Sequence, residues 1–347
     1  MSDELGALQA AVQKNCHIVD ARHSGDYTLC IYLLKMREYY RWEKGYPLGA
    51  DLPRGEVGDW LRERETLWES LEVEPFGELP IGNNYLEPFN TGTINDALLP
   101  EGLVYSAGLG NQSRPHFFLG ELEARERTDD FDVLISGREH ARELTAYPAM
   151  SHQGTIFIRR ESLRRMLWEK IENWRWSKAE NAMARAIACY DFDSNLQLAL
   201  DQMTAHEMEA VRLHEIGEIL AGKQLGDEWH ELLAELPHSK VELMLRAVRD
   251  HLADSLTTLP ALLQEPNVAS LHFYIGNLSN MRKHMYPALM DAYNRWVEHN
   301  DLTSLETLAE SSPAHWSRLG EEIVALYRKR PEQLARSIEA LIEEHRV

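Results

Sequence analysis

The sequence predicts a mainly α fold: a multi-helix bundle with a small antiparallel β insertion near residues 100–160. Apolar residues recur at helical spacing over residues 3–44, over 55–72, and from Glu161 to the end. Between about 100 and 160, short β-branched or aromatic runs alternate with turn residues, which is strand composition. A chain of 347 residues is long for one core, so two or three packed units are expected. The change of texture divides the chain into an N-terminal helical region (1–75), a loop-rich and β insertion (76–160) and a C-terminal helical bundle (161–347).

In the first region, "DYTLCIYLLKMREYYRWEKG" starts at an Asp26 cap and stops at Gly45. Tyr27, Ile31, Leu34 and Trp42, flanked by Leu33, Met36 and Tyr40, form a wide apolar surface, which predicts burial on more than one side. "GEVGDWLRERETLWESLE" reads as a second, more amphipathic helix. The proline- and glycine-rich stretch that follows reads as loop. "LVYSAGLG", "HFFLGEL", "FDVLISG" and "GTIFIRR" then read as strands of a small antiparallel sheet. Further on, Thr204 with Glu207 makes a capping box, and Gly222 closes that helix. Ser239 caps the next helix, Pro287 kinks a long one, Ser312-Pro313 opens another and Pro331 opens the last.

Composition narrows the function classes. A net charge of −20 argues against sequence-independent nucleic-acid binding and against anionic membranes. Cys16, Cys30 and Cys189 are too few and too widely spaced for a disulfide framework or a metal knuckle, and read as buried thiols in a reducing compartment. The N-terminus has neither a signal peptide nor a membrane span, which predicts a cytoplasmic protein. There is no Walker loop, no dinucleotide fingerprint after a strand and no Gly-x-Ser-x-Gly elbow.

Histidines carry the strongest chemical signal, with eight of the fifteen between residues 206 and 299. In "RLHEIGEILAG", His214 and Glu218 lie one helical turn apart, so both can reach a single ion. In "DHLAD", His251, Asp250 and Asp254 cluster over one turn of a helix otherwise built to pack. If the two helices face each other, they assemble a mixed imidazole and carboxylate set. His272, beside Gly276, is the sixth candidate ligand, and a solvated or core histidine is the plain alternative for each imidazole. Glu215 and Glu38 are the catalytic candidates. Glu38 continues an apolar line, where a carboxylate must be ion-paired, metal-bound or protonated, and a long-range arginine is the structural alternative. Arg114, Arg138 and His140 sit where polar loops leave strands and are candidates for substrate contacts.

The run "NCHIVDARHSGDYTLCIYLLKMREYYRWEKGYPLG" resembles the opening of an uncharacterised bacterial family, the Sfum-type proteins, and that resemblance implies no activity. The HEIGE stretch resembles the His-Glu-x-x-His helix of zinc peptidases. It departs at Glu218, where that family needs its second histidine, and the departure puts the peptidase mechanism in doubt.

The functional expectation is a metal-dependent oxidoreductase of non-haem iron type acting on a small molecule. Its divalent metal is expected to be iron ahead of zinc or manganese. The alternatives are a zinc-dependent hydrolase using the HEIGE helix and a non-enzymatic acidic interaction protein. A homo-oligomer is compatible with the sequence.

Overall fold

The structure, a computed structural model, describes residues 2–110, 114–128, 130–152, 154–264 and 267–347. Two compact units divide the chain, Met1–Trp168 and Glu169–Val347.

The first unit opens with α1 (Ser2–His23), α2 (Leu29–Glu43) and α3 (Arg54–Leu71). A hairpin of β1 (Leu79–Ile81) and β2 (Asn84–Leu86) and a short helix, α4 (Thr91–Leu98), occupy the stretch read as loop. Then come β3 (Leu103–Leu109), β4 (Pro115–Arg127), β5 (Asp132–Ala141), β6 (Ala149–His152) and β7 (Thr155–Arg159), which leads into α5 (Arg160–Ser177). Helix α1 carries Leu8, Val12, Cys16 and Val19 at helical spacing and buries them against Tyr105, Phe117 and Leu119 of the sheet. The stretches expected as separate regions, 1–75 and 76–160, therefore share one core.

The sheet is mixed rather than antiparallel. Its order is β3-β4-β5-β7-β6, and β5 pairs with β7 in parallel from Asp132 opposite Thr155 to Ser136 opposite Arg159. The short strand β6 makes this possible, because it turns the chain back so that β7 lies between β5 and β6.

Helix α2 departs from its expected burial. Its second half is buried, with Met36, Tyr39 and Tyr40 packed on Trp60 and Trp68. Its first two turns expose Leu29 at 70%, Ile31 at 48%, Leu33 at 44% and Leu34 at 50%. Thr28, not Asp26, precedes the helix. Glu38 is buried as expected but has local partners, accepting from Arg37 Nε at 2.9 Å and Arg41 Nε at 3.0 Å. Arg41 also donates to the Pro47 and Ala50 carbonyls. Both carboxylate oxygens are thus occupied by arginines of the same helix, so Glu38 anchors α2 and the loop after it.

The second unit holds α6 (Ala182–Ala188), α7 (Leu196–Leu225), α8 (Asp227–Glu235), α9 (Lys240–Leu256), α10 (Thr258–Gln264) and α11 (Val268–Asn277). It continues with α12 (Asn280–Met285), α13 (Pro287–His299), α14 (Thr303–Arg328) and α15 (Leu334–Glu344). One apolar core joins Trp229, Met244, Leu252, Tyr293, Trp316 and Ile323.

Several helix boundaries move relative to expectation. Helix α7 is capped by the Asn195 side chain and runs through Thr204, whose hydroxyl donates to the Leu200 carbonyl at 2.7 Å. It also runs through Gly222 and stops at Gly226, where φ is +77°. Ser239 caps α9 as expected. Pro287 opens α13 as a new helix, Pro313 lies inside α14, and α15 begins at Leu334.

Cys16 is buried, whereas Cys30 and Cys189 are exposed. Among the described residues, no helix is long and apolar enough to cross a membrane.

Candidate metal centre

The site is built where α7 crosses α9. Gly217 makes the crossing close, because a Cβ there would collide with the Ala253 carbonyl oxygen and lie 2.5 Å from Thr257 Oγ1. The Thr257 hydroxyl donates to the Leu213 carbonyl at 2.7 Å, tying the two helices one turn from the glycine. Gly217→Ala is expected to push the helices apart and to cost about 1–3 kcal/mol, despite alanine's better helix propensity. Chemical denaturation measures this, and unchanged stability would show that the crossing is not tight.

The close approach sets His214 and Glu218 of α7 against Asp250 and Asp254 of α9. His214 Nδ1 bonds Asp254 Oδ1 at 2.7 Å. That contact assigns the proton to Nδ1 in the neutral ring and leaves Nε2 as the outward donor atom. Nε2 stands 3.8 Å from Glu218 Oε1. Among the described residues, His214, Glu218 and Asp250 form a group whose donor atoms all lie within 4.8 Å of one another. Asp254 lies outside this group and orients the imidazole.

Two arginines that sequence reasoning missed complete the cluster. Arg249 Nη2 donates to Glu218 Oε1 at 2.8 Å, and Arg282 Nη2 donates to Asp254 Oδ2. Arg249 stands next to the "DHLAD" run, a charge pattern that could have pointed to it. Arg282 comes from α12, and nothing in the sequence linked it to α9.

The electrostatics follow from burial and these partners. Burial opposes the His214 imidazolium, but the Asp254 carboxylate, aided by Glu218 and Asp250, outweighs it and raises His214 to about 10. Burial raises Asp250. Asp254 is held well below the carboxylate range, because Arg282 and His214 overcome its burial. Glu215 is buried beside the cluster, and burial together with the Glu218 charge pushes it up to about 7. Among the described residues, its Oε2 has no hydrogen-bond partner.

Two expected ligands belong elsewhere. His251 turns from the cluster into the aromatic core, stacking on Trp316 at 4.6 Å and meeting the Tyr286 ring edge-on. Its Nε2 bonds the Arg282 carbonyl at 3.0 Å, and burial with the Arg282 cation lowers it to about 3. His272 bonds Tyr293 Oη at 3.0 Å and packs 4.7 Å from the Trp296 ring. Both are core histidines with a satisfied hydrogen bond, and neither belongs to the group of three donors found among the described residues. The glycine beside His272 marks a helix crossing, since a Gly276 Cβ would lie 2.9 Å from the Met183 nitrogen of α6. Glu207 is not a capping residue either. It is buried on α7, accepts from Ser270 Oγ at 2.8 Å, and burial raises it to about 7.

The substrate candidates do not share a partner. Arg114 Nη1 donates to Tyr27 Oη at 3.0 Å, and its Nη2 lies 3.6 Å from Asp20 Oδ1. His140 Nε2 faces Glu121 at 3.6 Å, and Arg138 is exposed on β5.

Comparison with known proteins adds a family and no activity. Residues 7–159 match the N-terminal domain, and residues 164–345 the C-terminal domain, of DUF6866, described as a family of unknown function. No curated protein and no solved structure matches the chain. The uncharacterised family expected from the N-terminal run is in keeping with this. Matched over both of its domains, the chain belongs to the DUF6866 family.

Proposed function

We propose that the protein is a metal-dependent enzyme whose C-terminal unit holds one divalent cation between His214 Nε2, Glu218 and Asp250. One observation carries this reading. Asp254 fixes His214 through Nδ1 at 2.7 Å, while the three donor atoms lie within 4.8 Å of one another. A carboxylate behind a ligating imidazole is the usual support for such a ligand. One imidazole and two carboxylates form a harder set than the two-imidazole triad of non-haem iron oxygenases. With His251 and His272 elsewhere, this set favours metal-assisted hydrolysis over the iron oxidoreductase expected from the sequence. A divalent ion in such a set acidifies a bound water. Glu215, poised near neutrality at about 7, is the residue suited to accept that proton.

Charge supports a second reading. Without metal, protonated His214, Arg249 and Arg282 balance the carboxylates of Glu218, Asp250 and Asp254, with Glu215 near half-protonation. The cluster would then be an ion-pair network that joins α7, α9 and α12. With a divalent ion, balance is kept only if His214 and Glu215 give up their protons.

Proton release separates the two. Given His214 near 10 and Glu215 near 7, binding of Mn²⁺ or Zn²⁺ should release about two protons at pH 6 and about one at pH 8.5. Calorimetry in buffers of different ionisation heat reads this number. Absence of binding at millimolar metal would leave only the ion-pair network.

Stability follows the same logic. His214 titrates higher in the fold than its ordinary 6.5, so its proton stabilises the metal-free protein below pH 6.5, and that contribution is lost as pH rises through about 10. A bound ion should flatten this dependence.

A further inference from the structure

The first unit has a surface unrelated to the metal centre. The start of α2 exposes Leu29, Ile31, Leu33 and Leu34, although a helix this apolar is built to be covered. Beside it lies a cavity of about 490 Å³, walled by Tyr27, Tyr32 and Trp68. Glu65 and Glu69 of α3, on the same helix as Trp68, and Glu72, just past its end, also line the cavity and are exposed. Tyr32 Oη donates to Glu65 Oε1 at 3.1 Å and so joins the aromatic and acidic residues of the lining. Leu29 lines the same cavity and connects it to the apolar turns.

We propose that this surface docks a basic amphipathic helix of a partner protein. Apolar side chains of the partner would cover the first turns of α2. Its Lys or Arg row, spaced by four and three residues, would face the Glu65, Glu69 and Glu72 carboxylates. Charge chooses between occupants. A second copy would bring another net −20 and the same row of carboxylates, and an anionic bilayer would also be repelled. A cationic amphipathic partner complements both the carboxylates and the apolar turns.

The test uses the full-length protein and a fluorescent synthetic helix of Leu and Lys, with Lys at matching spacing, alongside its Glu-for-Lys counterpart. Anisotropy at about 0.15 M salt should show binding of the Lys peptide alone. The triple variant Glu65→Gln, Glu69→Gln, Glu72→Gln should weaken it roughly tenfold or more, as should Leu29→Ser with Leu33→Ser. These five side chains are exposed, so the variants should fold. Glu306→Gln, Glu310→Gln, Glu321→Gln, also exposed, removes equal charge in the second unit and should leave affinity unchanged. Equal weakening by both triple variants, or by neither, would mean general attraction to an acidic chain and would overturn the proposal. Sedimentation showing self-association that the serine substitutions abolish would also overturn it, by making a second copy the occupant. Binding of the unlabelled protein to anionic vesicles with the same serine sensitivity would assign the surface to a bilayer instead.

Discussion

Replacing His214 with alanine should abolish stoichiometric binding of Mn²⁺ or Zn²⁺, and Asp254→Asn should weaken it by about 10–100-fold. The two effects differ in origin. His214 supplies Nε2, the only nitrogen in the group of three donors. Asp254 supplies no ligand atom but holds Nδ1 at 2.7 Å, and an amide in its place no longer favours the tautomer with Nε2 unprotonated. His251→Asn is the discriminating control. It sits on the same helix but stacks on Trp316, so it should cost stability while leaving metal affinity intact. Calorimetric titration of the three variants checks the order, and equal affinity in all of them would remove the metal proposal.

The largest stability effect is expected in the first unit, at a pair that sequence reasoning did not find. Arg159 and Glu139 are both fully buried at the side chain. They form a two-pronged pair, with Arg159 Nε on Glu139 Oε1 at 3.0 Å and Nη2 on Oε2 at 2.8 Å. Ser162 Oγ donates to Glu139 Oε1 at 2.5 Å, and the guanidinium lies 4.3 Å over the Phe118 ring. Burial opposes Glu139 ionisation, yet Arg159 and Arg142 hold its carboxyl below the ordinary value. Arg159→Leu leaves that charge inside without its partner and should cost about 3–5 kcal/mol. Replacing Glu139 with leucine as well should recover most of the loss, because two apolar groups need no compensation. Urea denaturation of both variants gives the comparison. A single-variant loss below about 1 kcal/mol would mean that water reaches the pair.

The success of the sequence reading tracks how local each signal is. The helices that build the site were legible because their apolar positions repeat every three to four residues. "HEIGE" and "DHLAD" each concentrate carboxylates and an imidazole on one turn, and His214, Glu218 and Asp250 do meet. The third element of that meeting, Gly217, was in the quoted stretch, but only the opposing Ala253 carbonyl gives it meaning.

The reading failed where the partner lies far along the chain, and also at some nearby contacts. His251 and His272 look like ligands until Trp316, Tyr286, Tyr293 and Trp296 close around them from later helices. Thr204 and Glu207 match a capping pattern inside a helix that Asn195 has already started. Glu38 was expected to need a distant arginine, although Arg37 and Arg41 fold back onto it. The parallel pairing of β5 with β7 depends on β6, a four-residue strand with no alternation to reveal it. The exposed start of α2 is the converse case. Its composition asks for burial that the described residues do not provide.

Elemental analysis of protein purified from cells without added metal, repeated after dialysis against a chelator and after re-addition of Mn²⁺ or Zn²⁺, addresses the α7–α9 site most directly. The account predicts about one divalent ion per chain, lost on chelation, recovered on re-addition and absent from His214→Ala. A metal-free protein that takes up none, with His214 still carrying its second proton at pH 8 by NMR, would contradict it.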